Sequence, residues 1–186
     1  MKDQEMLAGS GEIAEDNGTL GLTVYGNVGA DMQTVLSYTV TGQVQSSVAW
    51  LTGGFTSTEG PQGPEPAGIE IAQPWDNNGT LEMIVYGNVG DGNLGTVYAA
   101  PMNQPSSALA FLTGNFIGSG YTQIAQARNN NGALQLLVYG DIGNGGLSTV
   151  FSNDISQVPF ALAWVTGDFT GTGNTQILQS SMAVLG

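Results

Sequence analysis

Val24-Tyr25-Gly26-Asn27 returns as Val85-Tyr86-Gly87-Asn88 and again as Val138-Tyr139-Gly140-Asp141, 61 and then 53 residues further on. A second marker keeps the same step, since Trp50-Leu51-Thr52-Gly53 becomes Phe111-Leu112-Thr113-Gly114 and then Trp164-Val165-Thr166-Gly167, again 61 and 53 residues apart. Two independent markers with one spacing identify an internal repeat, in which one supersecondary unit is copied along the chain. A third marker occurs four times: Glu12-Ile13-Ala14-Glu15, Glu70-Ile71-Ala72-Gln73, Gln123-Ile124-Ala125-Gln126 and Gln176-Ile177-Leu178-Gln179. The chain therefore reads as a leading segment (1–11), three complete units (12–67, 68–120 and 121–174) and a partial fourth (175–186).

Within a unit the apolar residues alternate over short runs bounded by Gly and Asn, as in Leu81, Met83 and Val85 after Asn77-Asn78-Gly79, which is the period of a strand. Four such runs fit each unit: the Ile-Ala-Gln segment, the Leu-to-Tyr segment, Thr96-Val97-Tyr98, and Ser107 to Thr113. They predict one four-stranded antiparallel meander per unit. The longer first unit holds the insert Thr56 to Gly68 with Pro61, Pro64 and Pro66, predicted to be a loop because proline cannot donate to a ladder. Both faces of the second strand are largely apolar, so each sheet needs neighbours on both sides. Radial stacking of four-stranded sheets provides them, and the expected fold is all-β, a β-propeller with three blades and a partial fourth repeat.

Composition excludes whole classes of function. Asp and Glu number 15 against two basic residues, Lys2 and Arg128, for a formal charge of -13, which leaves almost nothing to displace counterions from a phosphate backbone. Nucleic acid and anionic membrane surfaces are not expected partners. With no His and no Cys there is no imidazole base, thiol nucleophile, zinc site or disulfide. Only 9% of residues are charged, against about 25% in an average soluble protein, while 29 are Gly, so turns dominate and the surface is neutral and amide-rich. The acidic residues that could pair for glycosidic chemistry, Glu70, Glu82, Asp91, Asp141 and Asp168, are scattered over the unit, and no enzymatic activity is expected. No apolar run reaches the ~20 residues of a membrane span and none near Met1 resembles a signal peptide, so a soluble chain without membrane insertion is expected.

The run Gly167-Asp168-Phe169-Thr170-Gly171-Thr172-Gly173-Asn174-Thr175-Gln176-Ile177 resembles the blade motif of the FG-GAP and VCBS repeats, and Gly87-Asn88-Val89-Gly90-Asp91-Gly92-Asn93 approximates their second signature. The resemblance extends over residues 12–186. It implies a propeller of the integrin-like and lectin-like kind, an extracellular setting as an alternative to a cytoplasmic one, and loops that hold Ca2+ through alternating oxygens. Here the positions equivalent to Asp168 are Gly54 and Asn115, so no copy carries a full carboxylate cage. Asp168, Asp91 and Asp141 are the candidate metal residues, but turn capping by Asp, Asn and Thr is the favoured reading and no cofactor is expected.

Three blades fall short of the four to eight that close a ring, so a homo-oligomer is expected, favouring a dimer with six blades; a segment of a longer propeller, a filament or an engineered chain are the alternatives. Trp75-Asp76-Asn77 and its equivalent Arg128-Asn129 form a loop that varies while the scaffold repeats, and they are the candidate ligand-binding residues. The first functional expectation is non-enzymatic, lectin-like or adhesive binding of glycans or protein surfaces, made multivalent by the repeat. The alternative is a structural protein whose repeats pair between chains. Trp50, Phe111 and Trp164 are expected in the core, and the rings of Tyr25, Tyr86 and Tyr139 packed with satisfied hydroxyls.

Overall fold

A computed structural model of the protein describes residues 11–16, 19–26, 33–41, 47–60, 63–66, 68–87, 89, 94–105, 107–140, 142, 147–157 and 161–181. The regular elements among them are all strands: β1 (Gly11–Asp16), β2 (Thr19–Gly26), β3 (Gln33–Thr41), β4 (Leu51–Gly53), β5 (Ser57–Gly60), β6 (Gly63–Pro66), β7 (Glu70–Asn77), β8 (Thr80–Gly87), β9 (Gly95–Pro105), β10 (Ala110–Gly114), β11 (Gln123–Asn130), β12 (Ala133–Gly140), β13 (Ser148–Gln157), β14 (Ala161–Gly167) and β15 (Gln176–Ser181). No helix among the described residues is long and apolar enough to cross a membrane.

The strands form two four-stranded antiparallel sheets, β4-β7-β8-β9 and β10-β11-β12-β13, a three-stranded sheet β1-β2-β3 and the pairs β14-β15 and β5-β6. The all-β antiparallel expectation holds, and no sheet closes into a ring among the described residues. The grouping of strands differs from the predicted meander. Ser107 to Thr113 was expected to finish the sheet of its own unit, yet β10 pairs with β11 of the next one, with Thr113 opposite Ile124 and Gly114 opposite Gln123. Both four-stranded sheets and the pair β14-β15 thus straddle a repeat boundary. The physical reason is the connection that follows β10, which Gln123 folds back tightly by accepting from the Phe116 N–H at 2.7 Å through its Oε1.

The predicted hairpins form where Asn-Gly stands. Asn78 and Gly79 have φ of 53° and 89°, and Asn131 and Gly132 have 52° and 91°. Both central residues of each turn are left-handed, the type I′ geometry whose twist matches that of the flanking strands. The proline insert is a short hairpin rather than a loop: β5 pairs with β6, with Pro66 opposite Ser57 and Pro64 opposite Glu59. A two-stranded ribbon has two free edges, so a proline there can turn its donor-less nitrogen away from the ladder.

The core lies between the two four-stranded sheets. Leu51, Phe55, Ala72, Leu81, Met83, Val85 and Met102 of the first meet Ile124, Leu137, Tyr139 and Ile142 of the second, with Phe111 packed against the cluster. Trp50 is buried and stacks on Tyr86 with ring centroids 6.5 Å apart. Tyr86 and Tyr139 are buried, and their hydroxyls each donate at 2.7 Å to a glutamine, Gln73 and Gln126 respectively. The core expectation holds for Trp50, Tyr86 and Tyr139; Phe111 is half-buried at the edge of the cluster, Trp164 is half-buried and stands apart from it, and the side chain of Tyr25 lies outside the described residues.

Candidate functional site

The strands β4, β10 and β14 hold equivalent positions in consecutive sheets and lie side by side, β10 touching both of the others. A repeated clamp joins them. The Thr122 N–H donates to the Gly54 carbonyl at 3.0 Å, and the Gly54 N–H donates back to Thr122 Oγ1 at 3.2 Å. One unit later the Thr175 N–H donates to Asn115 O at 3.0 Å, and the Asn115 N–H returns to Thr175 Oγ1 at 3.0 Å. The approach is close enough to dictate the preceding residue: a Cβ on Gly53 would lie 2.5 Å from Thr122 Cγ2, and one on Gly114 would collide with Thr175. The glycine of the Thr-Gly marker is therefore required by the neighbouring sheet.

A second repeated device folds the loop after each of these strands. Glu70 accepts the N–H groups of Phe55 and Thr56 at 2.7 Å each on Oε2, and the Thr56 hydroxyl on Oε1. Gln123 and Gln176 do the same with one oxygen, the latter accepting from Phe169 N–H at 2.7 Å and Thr170 N–H at 3.2 Å. The first residue of the third marker is thus the acceptor for the Gly-x-Phe loop, which needs either a carboxylate or an amide oxygen and no charge in particular. Sequence reading found the marker but missed this role, although the restriction of that position to Glu or Gln in all four copies was the available signal.

Asp168, a candidate metal residue, accepts from Thr172 N–H at 2.9 Å on Oδ1 and from Gly173 N–H at 2.8 Å on Oδ2. These backbone donors, Gly173 foremost, hold its carboxyl below the ordinary carboxylate value although the group is fully exposed. Ca2+ needs six to eight converging oxygens, whereas both oxygens here face N–H groups, and no group of three or more acidic side chains able to hold a metal occurs among the described residues. The loop does not fit the ion. Asp91 and Asp141 lie outside the described residues.

The candidate ligand-binding residues are engaged in turns and between sheets. Asp76 Oδ1 accepts from Gly79 N–H at 2.6 Å and Asn129 Oδ1 from Gly132 N–H at 2.8 Å, so the equivalent residues close the equivalent hairpins. Asn77 Nδ2 donates to Glu82 Oε1 at 2.7 Å. Arg128 Nε donates to Gln135 at 2.6 Å and its Nη1 to Gln104 of β9, linking the two four-stranded sheets. Burial raises the Tyr139 hydroxyl well above its ordinary value, and the Arg128 charge opposes that shift. Trp75 is half-buried in β7, with Ser47 opposite it, and its enclosed Nε1 has no acceptor among the described residues. A scan against protein-family models, a search of curated proteins and a search of solved structures each found no match.

Proposed function

We propose that this protein is a non-enzymatic self-assembling scaffold whose four-stranded sheets are propeller blades completed between chains. The observation that carries this reading is the clamp, which is used twice within the chain: among the described residues it is not formed again at Gly167-Asp168, while Ile69, at the position of Thr122 and Thr175, keeps the backbone N–H of the clamp and lacks its hydroxyl. Gly167-Asp168 holds the position of Gly53-Gly54 and Gly114-Asn115, and Phe169 that of Phe55, yet Phe55 is 2% exposed under the next sheet whereas Phe169 is 52% exposed. Ile69 holds the position of Thr122 and Thr175 and is 67% exposed. Covering a phenylalanine fully is worth about 1.5–3 kcal/mol, so joining a second copy through these positions has a driving force of the right kind.

The geometry favours assembly over carbohydrate binding at Trp75-Asp76-Asn77 and Arg128-Asn129, because the polar groups a sugar would need already close turns or bridge sheets. The resemblance to FG-GAP and VCBS repeats agrees with blades of this kind and is neutral between the two activities. Light scattering coupled to size exclusion tests the proposal. A mass of twice the 19.1 kDa chain, or a larger multiple, is expected. A mass of one chain at all concentrations overturns it.

A further inference from the structure

The two incomplete sheets have complementary shapes. Both complete sheets begin with a strand of the Trp/Phe-x-Thr-Gly marker, β4 or β10, paired to a strand of the Ile-Ala marker, β7 or β11. In the three-stranded sheet β1 carries the Ile-Ala marker, pairs β2 on one side, and has no partner on the other among the described residues. In the pair β14-β15, β14 carries the Thr-Gly marker and is covered by β15, a copy of the same Ile-Ala marker that β1 also bears.

Resting on the assembly reading, we infer that β14 of one chain pairs with β1 of a second copy, displacing β15, in a register fixed by the repeat. Gly53 opposes Glu70, Gly114 opposes Gln123 and Gly167 opposes Gln176, so the exchanged pair sets Gly167 opposite Glu12, Thr166 opposite Ile13 and Val165 opposite Ala14. Three features agree with this exchange. Glu12 stands first in its Ile-Ala marker, the sequence position at which Glu70, Gln123 and Gln176 fold the Gly-x-Phe loop. Stacked on β4-β7-β8-β9 through β14 and β4, as the two four-stranded sheets stack through β4 and β10, the completed sheet would set Gly167 and Phe169 of one copy against Ile69 of the other and cover both exposed apolar side chains. Val165 and Leu178, which face each other across β14 and β15, are 47% and 45% exposed, so on this face the opening uncovers little further apolar surface, while it gives up the bonds of Thr175 to Asn115 and of Gln176 to Phe169 and Thr170. Each copy then owns three complete sheets, and two copies close six, within the usual range of about four to eight blades.

The chain has no cysteine, so introduced thiols report one contact each. Chains carrying Ala14→Cys and chains carrying Val165→Cys are refolded together from urea, oxidised, and run on a non-reducing gel beside a Val165→Cys/Leu178→Cys chain that reports the β14-β15 pairing. Directly opposed residues stand about 4.5–5.5 Å apart, within reach of a disulfide. A mixed band at twice 19.1 kDa that neither single variant gives alone is the expected result. A multimer in which Val165→Cys/Leu178→Cys closes within one chain, with no mixed band, overturns strand exchange and leaves assembly standing. A protein that scatters as one chain overturns both. Ile69→Asp, at an exposed position, is expected to shift the mass towards the single chain, and an unchanged mass counts against the exchanged arrangement.

Discussion

Replacing Ala108 by Ser should stabilise the protein, although it puts a hydroxyl into a partly buried site. In the first four-stranded sheet Gln73 is fully buried, accepts from Tyr86 on Oε1, and donates from Nε2 to Ser47 Oγ at 2.5 Å. Gln126 repeats this one sheet later, with the same Tyr139 bond on Oε1, but its buried Nε2 has no partner among the described residues. The difference traces to one side chain. Val48 N–H bonds Pro74 O and Leu109 N–H bonds Ala127 O, so Ala108 stands where Ser47 does and lacks the oxygen. Gln179 has the same orphaned nitrogen, and its counterpart of Ser47 is Ala161. An unsatisfied buried donor costs about 1–3 kcal/mol, and a neutral hydrogen bond returns about 1 kcal/mol net. Ala108→Ser should therefore gain about 1 kcal/mol, or about 2–4 °C in Tm for a chain of this size. Ser47→Ala should lose about 1–3 kcal/mol by orphaning Gln73. Urea unfolding of the two variants and wild type measures both. Loss of stability in Ala108→Ser, together with a neutral Ser47→Ala, would refute the reasoning, because it would mean that the amide nitrogens are satisfied by other means.

Three further outcomes follow from other contacts. Gly53→Ala and Gly114→Ala should each cost about 1–3 kcal/mol by driving a methyl into Thr122 or Thr175, and in thermal melts Thr122→Ser should recover part of the Gly53→Ala loss by removing the Cγ2 that is struck. Burial raises the hydroxyls of Tyr139 and Tyr98, so they keep their protons in the folded state at a pH where the unfolded chain ionises. Stability should be full below the ordinary tyrosine value of 10.0 and fall as pH rises beyond it, and Tyr139→Phe should flatten that alkaline limb of a denaturation series. Asp168 has the opposite sign, because backbone donors lower its value: the order it gives the loop is present above the ordinary 3.8 and lost as pH falls through the lowered one. The amide resonances of Thr172 and Gly173 should shift together in that acidic range, and Asp168→Ala should shift them at neutral pH.

Local features were legible in the residues because they depend on neighbours along the chain. Asn78-Gly79 and Asn131-Gly132 demand left-handed turns whatever surrounds them, and alternation around Leu81, Met83 and Val85 declares a strand with a buried face. The recurrence of Trp50 and Tyr86 marked core, whereas the same marker at Trp164 is only half-buried because its burial depends on the sheets around it. The proline insert misled, because the residue rule describes central strands and β5-β6 is a ribbon with free edges. Asp76, Asn129 and Asp168 carried the chemistry of ligand residues, and only folding showed their oxygens turned to backbone N–H groups within a few residues.

By itself the sequence determined the all-β class, the repeat, the hairpins and the absence of imidazole and thiol chemistry, because each follows from residue identity or from spacing along the chain. Which strand joins which sheet was decided by tertiary structure alone. β10 has sequence neighbours on both sides that could pair with it, and the choice of β11 rests on Gln123 closing the intervening loop and on Thr122 reaching Gly54 across 68 residues. The exposure of Phe169 is of the same kind, since its position is buried at Phe55, half-buried at Phe116 and exposed at Phe169, a difference that the repeated Gly-x-Phe sequence does not show.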